Sequence, residues 1–209
     1  MNYVEFHNSL KEEPIVSSYI LANVPSECIS IHKHDTLCLS EEEVCYIENG
    51  TLFQMNPLKE YYLFNCLQPN HFIVKAREDD AMKLVAVETS QVNIFRKKEL
   101  YEFLDQEKLL SHFFLNVIEK NETVITELNM LSDLLAEERV KYTLYCILPQ
   151  MELEREGGFI QAPKWMNMKI LAQISHCSLS RTSKIMKNLQ KEKIVQIDNG
   201  MWYRDYTAS

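Results

Sequence analysis

Between residues 164 and 193 the chain carries Lys164, Lys169, Arg181, Lys184, Lys187, Lys191 and Lys193 against one acid, Glu192. That local charge of +6 sits in a 209-residue protein of net charge −8, so the remainder carries −14. Ammonium and guanidinium groups gathered in this way bind phosphates, and acids elsewhere keep phosphates to that one surface. The spacing is as informative as the charge. Ser178 can cap a helix that starts just after it. Along that helix, to about Lys191, Thr182, Ile185, Met186 and Leu189 fall on one face. Ser180, Arg181, Ser183, Lys184, Lys187 and Asn188 fall on or beside the other. A shorter helix before it, 168–175, turns Ile170, Leu171 and Ile174 inward. Ala172 is small where a second helix would cross closely, and His176-Cys177 makes a tight turn between the two. A buried stripe backed by a polar, basic face suits a helix that lies in a DNA major groove. The candidate DNA-binding residues are therefore Ser178, Ser180, Arg181, Ser183, Lys184 and Lys187.

Other elements must hold that surface. Ile194 to Ile197, then Asp198-Asn199-Gly200, then Met201-Trp202-Tyr203 read as two short strands about an Asn-Gly turn, a wing beside the helix pair. Trp202 and Tyr203 read as hairpin packing. Residues 97–151 read as helix, with no Gly and no Pro before Pro149. Within them Leu110, Phe114, Val117, Asn121, Val124, Leu128, Leu131 and Leu135 are spaced four and three residues apart in strict alternation. A sustained 3.5-residue period implies two helices wound together, and these eight residues are the expected dimer interface. Asn121 is the polar member of the seam, able to pair with its own copy and fix register. A second stripe, Phe113, Ile118 and Ile125, is expected to lean on the N-terminal domain. The stretch 152–163, with Gly157-Gly158, reads as a connector.

From about residue 18 to 96 the pattern favours strands. Runs at 28–32, 44–48, 51–55, 61–64, 84–87 and 92–95 are rich in β-branched and aromatic residues. Asn49-Gly50, Asn56-Pro57 and Gln68-Pro69-Asn70 separate several of them, and Asn49-Gly50 signals a hairpin. Many short strands at close spacing imply a sandwich or barrel.

This order of β-domain, long helix, helix-turn-helix and wing resembles the Crp/Fnr family of bacterial transcription regulators. The likeness is architectural over the whole chain and strongest in sequence from 171 to 195. The stretch from Cys177-Ser178 to Ile185-Met186-Lys187-Asn188-Leu189 is similar to the family's recognition helix, and 46–52 to its β-roll hairpin. The resemblance places Leu179, Ser180 and Lys184 at the family's three main base-reading positions. These are Arg, Glu and Arg in the catabolite activator branch, so a different operator is implied. Ser180, Lys184 and His176 are closer to the listerial virulence activator branch. The fold implied is α+β: an N-terminal β-roll sensor of the jelly-roll, cyclic-nucleotide-binding type (1–97), a linker and coiled-coil dimerisation helix (98–136), and a C-terminal winged helix-turn-helix (137–209).

The resemblance raises three effectors, and the sequence speaks to each. The family's cyclic-nucleotide box needs a Gly-Glu pair and an Arg-x-Ser/Thr group. Residues 67–87 contain no Gly, and Arg77 is followed by Glu78, Asp79 and Asp80, so cyclic AMP is not expected to bind. Cys28, Cys38 and Cys45 are too scattered for an iron–sulfur cluster. Cys38, Cys45 or Cys66 could sense thiols, as the listerial branch responds to glutathione, but mostly buried, inert thiols are expected of all six cysteines. His32 and His34, alternating on a strand with Cys38 nearby, could bind a metal, although exposed histidines are the plainer reading. No cofactor is predicted, and the effector is not legible.

No Ser/His/Asp order, HExxH, P-loop or GxGxxG appears, so an enzyme is not expected. A cupin-like metalloenzyme and a helical protein-interaction module stay open as alternatives. No apolar run approaches the roughly 18 residues of a membrane span. Residues 1–11 include Glu5 and no apolar core, so no signal peptide is expected and a cytoplasmic location is. The expected partners are double-stranded DNA, a second copy and, for an activator, RNA polymerase.

Overall fold

The computed structural model describes residues 15–56, 59–75, 82–147, 155–156, 159–198 and 201–205. They form two compact units, the first covering the described residues up to Thr126 except Tyr61–Leu63, the second those three residues and the described residues from Glu127 onward. The first unit holds helix α1 (Ile15–Asn23) and the strands β1 (Ser26–Ile31), β2 (Thr36–Cys38), β3 (Glu43–Asn49), β4 (Leu52–Asn56), β5 (Lys59–Leu67, apart from Tyr61–Leu63), β6 (Phe72–Val74), β7 (Lys83–Ala86) and β8 (Ser90–Arg96). Helix α2 (Lys97–Gln106) follows, then α3 (Leu110–Asp133), which runs on into the second unit.

The strands make two antiparallel sheets, ordered β1-β8-β3-β6 and β2-β7-β4-β5. Strand β3 shows why they stack. Cys45 and Ile47 enter one apolar cluster with Leu52, Leu67, Leu84 and Val92. Val44 and Tyr46, on the opposite face, enter a second cluster with Ile20, Phe95, Leu100, Leu104 and Phe113. A strand buried on both faces carries an unbroken apolar run, which is what 44–47 is. The sandwich expected from the strand spacing is present, in the β-roll form that the resemblance implied.

Several local expectations are corrected. Asn49-Gly50 is not a hairpin turn: β3 and β4 lie in different sheets, and this dipeptide is the corner between them. Gly50 has φ +86°, and a Cβ there would lie 2.7 Å from Ser90 Cα. Glycine is needed for that close passage as well as for the turn. Residues 18–23 belong to helix α1, where the burial of Ile20 overrides the β-leaning Ile15 and Val16. Strands β2 and β6, three residues each, were not legible.

The expected helix from 97 to 151 is broken twice. At the first break Lys108 takes φ +58° and Leu109 N–H donates to Leu104 O at 2.7 Å, a left-handed helix end made without glycine. At the second, Leu135 lies beyond α3 and serves as N-cap of α4 (Ala136–Tyr142). Its N–H donates to Glu138 Oε2 at 2.8 Å. The helix-length heptad thus ends at Leu131, and Leu135 is 72% exposed outside it. A π-helical turn, Thr143–Ile147, continues α4.

The second unit also holds strands β9 (Arg155–Glu156) and β10 (Phe159–Gln161), helices α5 (Met168–Ile174) and α6 (Leu179–Lys191), and strands β11 (Val195–Asp198) and β12 (Met201–Asp205). Strands β11 and β12 pair antiparallel from Val195↔Arg204 to Asp198↔Met201, the wing expected around Asn199-Gly200, which lie outside the described residues. The supposed connector contributes β9 and β10, and Phe159 pairs with Asp205, so the sheet has four strands, β11-β12-β10-β9. Gly157-Gly158, between β9 and β10, also lie outside the described residues.

Candidate nucleic-acid interface

Helix α5 starts at Asn167, whose Oδ1 accepts from Ile170 N at 3.0 Å. Leu171, Ala172 and Ile174 are buried. The turn that follows is held from three sides. His176 takes φ +50°. Ser175 Oγ, buried, donates to Leu171 O at 2.7 Å, and Cys177 N–H donates to Ala172 O at 2.9 Å. Arg139 of α4 donates from Nη1 to His176 O at 3.1 Å. That arginine was not picked out from sequence: one basic residue after Glu137-Glu138 looks like surface, and its role exists only once α4 packs beside the turn.

The turn delivers Ser178 as the N-cap of α6, its Oγ accepting from Arg181 N at 3.3 Å. Thr182, Ile185, Met186 and Leu189 are buried, as expected, and Thr182 Oγ1 donates to Ser178 O at 3.0 Å. A hydroxyl on the buried face is thereby satisfied. Ser178, Ser180, Arg181, Lys184, Lys187 and Asn188 are exposed and Ser183 is half-buried. The candidate DNA-binding residues therefore come together on the open face of one helix, with a partial reservation for Ser183. Leu179, which the resemblance places at a base-reading position, is also exposed there. Among the described residues of the second unit an ion pair joins Lys141 to Glu137 at 2.9 Å, on α4 and away from this face.

Along α3 the seam residues behave unequally. Leu110 and Val117 pack against the second apolar cluster of the first unit, and Leu131 is buried. Phe114 is 37% exposed and Asn121 is exposed. Of the second stripe, Phe113 is buried, whereas Ile118 and Ile125 are 50% and 53% exposed, Ile125 also lining a cavity beside β5 and β6. The open line is thus Phe114, Ile118, Asn121 and Ile125, which joins two residues of the seam read in the sequence to two of the second stripe.

In the first unit a cavity of about 300 Å³ is lined by residues of β5, β6 and α3, among them Asn65, His71, Phe72, Lys120 and Asn121. Lys120 Nζ donates to Asn70 O, and burial pulls its ammonium down to about 8. Burial, reinforced by the Lys120 charge, pushes the His71 imidazole down to about 4, and its Nδ1 meets Gln68 O at 2.9 Å. Arg77 to Asp80, weighed above against a phosphate, lie outside the described residues.

The cysteines differ from expectation. Only Cys45 is buried, and burial with the nearby Glu43 charge raises its thiol to about 12. Cys28, Cys38 and Cys146 are exposed. His32 and His34 do not share a strand face, because β1 ends at Ile31 and His34 sits in the following turn with φ +76°. Among the described residues no three His, Cys, Asp or Glu side chains gather as a metal site. Nor is any helix among them long and apolar enough to cross a membrane.

No family model matches the chain, and no curated protein matches it. Solved structures do. A cyclic nucleotide-binding domain containing protein from Listeria monocytogenes is similar at 14% identity and a TM-score of 0.74, covering 98% of this chain and 97% of that one. The c-di-GMP responsive global regulator CLP of Xanthomonas campestris is similar at 11% identity and 0.73, covering 92% and 99%. TTHB099, a transcriptional regulator of the CRP family from Thermus thermophilus, is similar at 14% identity and 0.69, covering 86% and 93%. The chain therefore has the fold of the Crp/Fnr regulators, from β-roll to winged helix-turn-helix, over almost its whole length.

Proposed function

We propose that the chain is a sequence-specific DNA-binding transcription regulator that works as a homodimer. One observation carries this reading: α6 is capped, sunk on its apolar face and open on a face of hydroxyls, amides and cations. That is the arrangement a major-groove reader needs, with cations for phosphates and shorter groups for base edges. The second copy joins along α3. The open apolar line Phe114, Ile118, Asn121 and Ile125 gives it a seam, and Asn121 pairs with itself to set register. Two readers related by that axis meet half-sites roughly 34 Å apart on a pseudo-palindrome.

Control comes through the β-roll. The cavity beside α3 is the site for a small effector, because a ligand there touches the helix that carries the dimer and can shift it. Cyclic AMP is not that effector, since 67–87 contain no glycine for its ribose. As an activator the protein would also meet RNA polymerase, in the cytoplasm.

Duplexes selected from a random pool by the full-length protein test the reading. The expected product is a two-fold-symmetric site bound at least about a thousandfold tighter than random DNA at near-physiological salt. Equal affinity for both would overturn it.

A further inference from the structure

Leu179 stands apart on the proposed DNA-reading helix. It is the first residue of α6, and it is 51% exposed while the apolar residues behind it, Thr182 apart, are buried aliphatics. Its neighbours on the open side, Ser180 and Ser183, are short and uncharged. Lys184 lies about one turn further on. The first turn of a groove-reading helix is the part that approaches base edges. In the major groove every polar base-edge group is a hydrogen-bond donor or acceptor, and the only apolar one is the thymine 5-methyl. A branched aliphatic side chain has nothing to offer the polar groups and would strip their water without replacing it.

We propose that Leu179 is a specificity-determining residue that packs on a thymine 5-methyl group, so that each half-site carries a T·A pair facing the first turn of α6. This rests on the DNA-binding reading above. It adds to it a defined base, a defined atom on that base, and a residue whose contribution is apolar. Lys184, one turn on, has the reach and charge for a guanine edge or a phosphate, whereas Leu179 discriminates by shape and water exclusion alone.

Replacing thymine by deoxyuridine deletes the methyl and leaves both hydrogen-bonding edges unchanged. With the full-length protein and its selected duplex, each thymine of a half-site is replaced in turn. One position per half-site should lose about fourfold in affinity, and the symmetric double replacement about fifteenfold, the size expected for one and two buried methyl groups. Leu179→Ala should bind the thymine and uracil duplexes equally, while keeping the melting temperature of the parent, because the side chain is half outside the fold. If every uracil replacement is neutral in the parent protein, or if the same uracil penalty persists in Leu179→Ala, the proposal fails while the DNA-binding reading stands. If no duplex is enriched at all, that reading fails and takes this proposal with it. Should Leu179→Ala melt early, Leu179→Met keeps the apolar bulk, and retention of the thymine preference in that variant is required.

Discussion

Helices α3 and α6 are both amphipathic and both half sunk in a core, yet their open faces are opposites. On α6 every buried position is apolar or internally hydrogen-bonded, and the open face carries Arg181, Lys184 and Lys187. On α3 the open face keeps Phe114, Ile118 and Ile125 in water. An isolated exposed apolar residue is ordinary, but three at helical spacing on one line are a surface that seeks another apolar surface. A basic open face instead seeks phosphate. In the proposed regulator the same local structure, a helix on a core, is assigned to protein association in one place and nucleic-acid contact in the other, and the difference lies in the side that the core does not use.

The sharpest way to break this contrast lies in two neighbours on α3. Phe113 is 2% exposed in a cluster of rings, with Phe72 at 5.1 Å and Tyr101 at 6.1 Å between centroids. Phe113→Ala should cost about 3–5 kcal/mol of stability by chemical denaturation, at any protein concentration. Phe114→Ala should cost far less in dilute protein. Beyond the rings it meets within the chain, Tyr101 at 5.3 Å and Phe113 at 5.6 Å, its open side is assigned to the second copy, so its effect should grow as the protein is concentrated. Equal, concentration-independent losses in both variants would mean that Phe114 serves only its own chain, and the comparison between the two helices would lapse.

The inner side of α3 has a titratable weak point. His71 is held neutral, its imidazole pushed down to about 4 by burial and by Lys120. An unfolded histidine takes its proton near 6.5. Below that pH the unfolded chain binds the proton first, so stability present above about 6.5 is lost as the pH falls toward about 4. The loss is on the order of 2–3 kcal/mol. Thermal melts of the parent and His71→Gln across this window should differ in slope, the variant being the flatter. Parallel curves would show that His71 is solvated in the folded protein and that the wall of the cavity is looser than described.

On α6 the expected losses are in binding and not in folding. Lys184→Ala should weaken operator binding by about 1–3 kcal/mol and relax the preference at one base pair. Arg181→Ala, on the flank of the same face, should weaken all duplexes alike and lower the salt dependence by about one unit of slope. Both should melt within about 0.5 kcal/mol of the parent, as surface residues do. A salt dependence unchanged in both would remove the electrostatic half of the contrast with α3.

Much of this was readable in the sequence, and what was not has physical causes. Periodicity reports one chain's amphipathic face, so it found the buried stripe of α6 and the existence of α3. It cannot say which apolar residues a helix spends on its own core and which it leaves for a partner. That is why the seam read from Leu110 to Leu135 divides: Leu110 and Val117 turn to the core, while Phe114 and Asn121 stay open beside Ile118 and Ile125. Helix ends were misjudged because glycine and proline were the expected signals. Lys108 and Leu135 end and start helices here through backbone and Glu138 hydrogen bonds. Asn49-Gly50 announced a reversal of the chain but not its partner, and in a two-sheet roll a corner and a hairpin use the same residues. The support of the reading turn by Arg139 is a tertiary contact across 37 residues, with no local signature.

The smallest effect tests the point where the two sides of α6 meet. Ser178 caps the helix by accepting from Arg181 N, and it is exposed on the reading face. Ser178→Ala should cost about 1 kcal/mol of stability, the usual loss of an N-cap, and weaken DNA binding a little. That variant alone mixes two causes. Ser178→Asp separates them, because aspartate caps as well as serine and its charge suits a helix N-terminus. Its melting temperature should match or exceed that of the parent. The same carboxylate would face phosphates beside Arg181, the cation of the first turn, and like charges brought together repel. Affinity should therefore fall several-fold, most at low salt, where screening is weakest. A stable variant that binds as the parent does would place Ser178 away from the backbone of the duplex, and would leave α6 touching DNA through its later turns alone.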